Sequence, residues 1–169
     1  MRFFISPDIR RNPFLRQIVL WSLVYAFLVW VSDWPFYAKI GFSYHSIIEY
    51  YRGSEAAFRA PKSFFGLLEE THFHAFAMMV FLMTLNHLLL FTGAPRWVKA
   101  GAIHVSFGSA LADMASGWLI RFVHPGFALL KMGAFLALQG SLLVILILLW
   151  VYAWRVETTD GQVGRQMGR

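Results

Sequence analysis

Ser141-Leu142-Leu143-Val144-Ile145-Leu146-Ile147-Leu148-Leu149-Trp150 decides the fold class. No Asp, Glu, Lys or Arg falls between Met132 and Trp154. A helix spans ~30 Å of hydrocarbon with ~20 apolar residues, so this stretch reads as a transmembrane helix over 127–154. Outward from it, three more apolar runs have comparable length: 14–34, 71–91 and 98–123. Thr92-Gly93-Ala94-Pro95 and His124-Pro125-Gly126 separate the last three, and Gly and Pro are the usual chain punctuators.

Composition agrees. Apolar residues make up 58% of the 169 and charged residues 14%, against roughly 25% charged in ordinary soluble domains. The absence of Cys excludes disulfides, thiolate metal sites, iron–sulfur clusters and covalently attached c-type haem. The formal charge of +6 lies mostly beside apolar runs, which points to membrane orientation rather than nucleic acid. The expected fold is an all-α integral membrane protein, a single transmembrane domain over 1–169. It is a four-helix transmembrane bundle with an ordered outer loop at 35–70 and a cytoplasmic tail at 155–169. Lys and Arg number nine on the N- and C-terminal side and six on the other, which gives N-in, C-in. The long first run lacks a small-residue cleavage site and reads as an uncleaved span. The expected location is the bacterial inner membrane, multi-pass. Within the outer loop, Ser43–Tyr51 reads as a short amphipathic helix at the membrane surface.

The six His are His45, His72, His74, His87, His104 and His124. Ionisable groups in a bilayer are costly and are functional candidates by default. About the turn near Pro95 and Arg96, His87 and His104 are each about eight residues away, hence at one depth on antiparallel neighbours. Two imidazoles so placed can ligate one metal from opposite sides, or serve as interhelical glue with Asn86 and Ser106. The same reflection puts His124 near Glu70, His72 and His74. His72 and His87 lie about 60° apart around their helix, whereas His74 and His87 lie about 140° apart. Asp113, deep in a stretch rich in Ala, Ser and Gly, reads as a proton acceptor, a quinol-binding carboxylate, or a protonated group hydrogen-bonded across the bundle.

This spacing resembles the membrane cytochromes b of respiratory complexes, whose bis-His haems use ligands 13–15 residues apart on a helix. The resemblance covers the second and third runs. It implies one or two haems b, with His87 and His104 on the inner haem and His72 and His124 among the outer ligands. The spacing of 20 between His104 and His124 departs from that family. Glu70-x3-His74-x12-His87 also resembles the copper-site pattern of the membrane C subunits of methane and ammonia monooxygenases, with Glu in place of Asp. In one straight helix His74 and His87 would stand ~20 Å apart, too far to share a metal.

These patterns lead to an expected function. It is a membrane electron-transfer subunit binding haem b and exchanging electrons with quinol or a periplasmic redox partner, with Asp113 handling protons. The alternative is a non-redox protein with copper or zinc at Glu70, His72, His74 and His124, or an accessory scaffold of a larger complex. A homo-oligomer fits either. A small-solute transporter has less support, since no repeat is visible.

Overall fold

The computed structural model describes residues 13–154; the basic residues expected inside at positions 2, 10 and 11, and the tail from 155, lie outside them. Five α-helices follow in order: α1 (Pro13–Ile40), α2 (Tyr44–Arg52), α3 (Phe64–Leu90), α4 (Arg96–Phe122) and α5 (Ala128–Trp154). A 3-10 turn, Pro125–Phe127, precedes α5. An isolated bridge, Ser54 with Arg59, closes the loop after α2. At 1.5 Å per residue each long helix measures about 40 Å.

Phe14–Ile40, Phe64–Leu90 and Pro125–Trp154 are long and apolar enough to cross a membrane. The fourth long helix, α4, has the same length as α3 but carries Arg96, Lys99, Asp113 and Arg121. It runs antiparallel to α3: Asn86 Nδ2 donates to Ser106 Oγ (3.1 Å), and Trp118 Nε1 donates to Thr71 Oγ1 (2.8 Å).

Two helices depart from their expected bounds. The first run was expected to end at Trp34, before Pro35, yet α1 continues to Ile40 with Pro35 inside it. Proline forfeits one intrahelical donor. Beyond it, Tyr37 is buried and stacks on Phe135 of α5 with ring centroids 3.8 Å apart; packing outweighs the lost bond. The second helix starts at Phe64, earlier than expected, because Ser63 caps it by accepting from Gly66 N–H (3.0 Å).

The expected loop helix exists, but it does not simply lie on a membrane surface. Ser43 and Ser46 form a reciprocal capping box that starts α2. Its Ile47 and Tyr51 are fully buried in a cluster with Tyr37, Leu67, Ile120, Ala128 and Phe135. Arg52 Nε donates to the Ile120 carbonyl (2.8 Å) and Arg121 Nε to the Lys62 carbonyl (2.9 Å). Thus α2 plugs one end of the bundle. Gly117 makes room for it: a Cβ there would stand 2.9 Å from Tyr51 Cε1.

α5 is the central helix, packed on α1, α3 and α4. At the end opposite α2, Leu82, Leu85, Leu89, Leu142, Ile145 and Leu149 interdigitate with Val19 and Leu23. α1 packs on α5 and scarcely touches α3.

Candidate functional site: a polar chamber beneath α2

Under the α2 plug lies a chamber of about 520 Å³, walled by all five helices. Its floor is an ion pair. Lys131 Nζ on α5 stands 2.8 Å from Asp113 Oδ2 on α4, and it also donates to the Asp113 carbonyl at 3.2 Å. Lys131 is only 6% exposed, and its ammonium sits 5.9 Å from the centroid of Tyr51 in the plug. A buried charge is tolerated only when it is paired and hydrogen-bonded, and this lysine is both.

α1 supplies the next contact. Gln139 Nε2 donates to Asp33 Oδ2 (2.8 Å), and Trp30 Nε1 donates to the Gln139 carbonyl (3.0 Å). Lys131 and Gln139 are eight residues apart, about 80° around the helix, so α5 presents both to the chamber side.

The upper wall is a second, more exposed pair. Lys62 Nζ is 3.1 Å from Glu70 Oε2 and 4.6 Å from the centroid of Tyr50. Partial burial opposes the Lys62 charge, but Tyr50 and Glu70 outweigh it and hold its pKa above the ordinary lysine value. Burial, reinforced by Glu70 and Asp113, pushes the Tyr51 phenol well above its usual range, so it stays a neutral hydroxyl.

Three buried polar atoms at the chamber have no hydrogen-bond partner among the described residues: Asp113 Oδ1, Gln139 Oε1 and the Tyr37 hydroxyl. Leaving a buried polar group unmet costs about 1–3 kcal/mol. Two are acceptors, and the third can give or accept.

The histidines fall elsewhere. Asn86 and Ser106, not His87 and His104, meet across the α3–α4 interface. His87 is exposed, its ring edge-on to Phe91 at 5.4 Å. His104 is exposed too; two residues before Ser106, it leaves α4 about 160° away from the α3 side. The structure therefore does not bring the expected inner haem ligands face to face. His72 is exposed against Phe73. His74 reaches the chamber wall, but its Nδ1 lies 2.8 Å from the Glu70 carbonyl, to which it donates. His124 Nδ1 accepts from Gly126 N–H at 3.0 Å, capping the 3-10 turn. Among the described residues no three of His, Asp and Glu are grouped to hold a metal ion, so Glu70, His72, His74 and His124 are not gathered as a ligand set. Of the expected site residues, Asp113, Glu70 and His74 line the chamber.

Asp33, Lys131 and Gln139 went unread as site residues. In the sequence Lys131 falls among the six cations on the outer side, and Asp33 and Gln139 lie within runs that read as apolar spans. The usable signal was Lys131 and Gln139 on one side of an otherwise apolar helix.

A family model of transmembrane helical domains, Aq_1264_TM, matches residues 41–160. The chain belongs to that family. This transmembrane helical domain is thus an integral, multi-pass membrane protein in contact with lipid. The match takes in α2 to α5, hence Lys131, Asp113, Gln139, Glu70 and the plug, while Asp33 and Tyr37 come from α1 before it. No curated protein and no solved structure matches this transmembrane helical domain.

Proposed function

We propose that the protein binds the polar head of a neutral, hydroxyl-bearing amphiphile in the chamber, a quinol being one such head. The observation that carries this is the pairing of the charges beside unmet acceptors. Lys131 is neutralised by Asp113 and Lys62 by Glu70, so neither cation is free for a phosphate. Asp113 Oδ1 and Gln139 Oε1 call for a ligand that donates hydrogen bonds. The volume lies within the roughly 300–1,000 Å³ of ordinary ligand pockets.

The topology proposed with it is four crossings, N-in and C-in, with α2 outside. α3 and α5 both run from the α2 end to the opposite end, and α4 links them, which supports a crossing by α4 despite its charges. Lys131, paired inside the bundle, drops from the loop tally, so six outer cations become five against nine.

Thermal unfolding in nanodiscs tests the head site. Decyl-hydroquinone or monodecanoyl-glycerol should raise the melting temperature of the wild type, and Gln139→Leu should lose most of that rise. No rise with either compound would overturn the proposal. Haem-linked electron transfer is a separate reading whose inner haem would rest on His87 and His104. Since both are exposed, a haem would have to be shared with a partner subunit. A dithionite-reduced spectrum without a b-type α band would remove it.

A further inference from the structure

A second space of about 830 Å³ lies between α1 and α3. Trp21, Ala26 and Val29 form one wall, and Ala77, Val80 and Phe81 the other. It is almost wholly apolar. It also follows directly from the chamber along the same two helices. On α1, Val29 lines the cleft, and Ser32 and Asp33, one turn on, line the chamber. On α3, Ala77 lines the cleft, and His74, one turn back, lines the chamber. The gap exists because α1 is anchored to α5, by Trp30 and Asp33 to Gln139, and not to α3.

We infer that this cleft seats the apolar tail of the ligand whose head occupies the chamber, and that the ligand enters sideways from the bilayer between α1 and α3. This rests on the head reading and adds the route and the second half of the ligand. The commitment to one molecule follows from the order of the linings. Polar groups end and apolar ones begin within a single turn, as they do in an amphiphile. A tailless solute would leave the cleft to lipid, and a second copy of the chain packed there would fill the gap between α1 and α3.

Ala77→Trp tests this, because Ala77 is exposed on the cleft wall and the extra ring fills the cleft without entering the chamber. The probes are hydroquinone, decyl-hydroquinone and a decyl-hydroquinone with a diazirine at the tail end. In nanodiscs the variant should bind the decyl compound at least tenfold more weakly than wild type and bind hydroquinone unchanged. The photoprobe should label the cleft faces of α1 and α3. Equal decyl binding by both proteins, or labelling confined to α4 and α5, would overturn the tail seat and leave the head site standing. No wild-type binding of any probe would overturn the head reading itself. A probe-independent dimer that Ala77→Trp dissociates would overturn the tail seat in favour of a second copy. The variant's unliganded melting temperature, and its unchanged hydroquinone binding, certify that it folds.

Discussion

The two ends of the bundle are built from the same helices and held together differently. At the α2 end, α1, α4 and α5 are joined through Asp33, Gln139, Asp113 and Lys131, with the Tyr51 ring above them. At the opposite end, α1, α3 and α5 meet through Val19, Leu23, Leu82, Leu89, Leu142 and Ile145, with Asn86–Ser106 as a polar cross-link between α3 and α4. In a bilayer apolar side chains gain little by leaving lipid for protein, so packing and interhelical hydrogen bonds must specify association. The apolar end meets that need by shape. The α2 end uses charge, and it has polar atoms left over. Asn86 Oδ1, between α3 and α4 at the apolar end, is also unmet among the described residues, but Asp113 Oδ1, Gln139 Oε1 and the Tyr37 hydroxyl gather around one chamber, and that grouping is what supports placing the proposed ligand at the α2 end.

The largest expected effect comes from breaking the ion pair. Lys131→Met leaves Asp113 beside the chamber without its cation, and removing one partner of a buried pair costs about 3–5 kcal/mol. Thermal unfolding in detergent should show that loss, and Asp113→Leu combined with Lys131→Met should restore most of it. A loss below about 1 kcal/mol for the single variant would mean that the chamber solvates Asp113 freely, and the contrast between the ends would shrink to packing alone.

At the apolar end the comparable test is Leu142→Ala. Leu142 is fully buried in the core, and such truncations cost about 2–5 kcal/mol, depending on how far the cavity collapses. The two variants should separate by function: Leu142→Ala should leave hydroquinone binding intact at temperatures where the protein is folded, whereas Lys131→Met should abolish it.

How much of this could be read from the residues differs between the ends. The long helices follow from apolar runs and Gly/Pro breaks, because hydrocarbon thickness constrains length, but the end of α1 and the start of α3 do not, since packing of Tyr37 and capping by Ser63 set them. The α2 helix was legible from its pattern, but not its burial, which depends on Gly117 of a distant helix accepting Tyr51. Asp113 was legible because an acid deep in a small-residue helix has few uses. Its partner was not, because Lys131 lies near the start of α5, where a lysine normally reaches for water or headgroups. Histidine depth and relative phase along one helix follow from the residue spacing, but which phase faces the neighbouring helix does not. The 100° step from Asn86 to His87 turns an interface residue into an exposed one, and equal depth on two helices does not make two side chains face each other.

Between the strong effects and the weak ones lies the plug. Gly117→Ala places a methyl 2.9 Å from the buried Tyr51 ring, and overpacking of this kind costs about 1–3 kcal/mol. The expected outcome is a loosened α2, read as faster protease cleavage within residues 53–63 at a temperature where the rest of the bundle resists. Unchanged cleavage would show that the plug yields without detaching. Gln139→Leu should cost a similar or smaller amount, about 1–3 kcal/mol, by leaving Asp33 without its donor. Trp30 bonds the backbone carbonyl of the same residue, so that contact persists and the loss reports the side chain alone.

The smallest effect should come from the polar cross-link at the apolar end. Asn86 Nδ2 donates both to Ser106 Oγ at 3.1 Å and to the Leu82 carbonyl at 2.9 Å, its own previous turn. Breaking the bond from the serine side, with Ser106→Ala, leaves the amide its backbone acceptor. Interhelical hydrogen bonds in membranes average about 0.6 kcal/mol in double-mutant cycles, because the separated helices also find partners. A cycle over Ser106→Ala and Asn86→Leu should therefore return a coupling near that value. At the α2 end the Lys131→Met and Asp113→Leu cycle should return several times more. Equal couplings at the two ends would remove the energetic distinction between them.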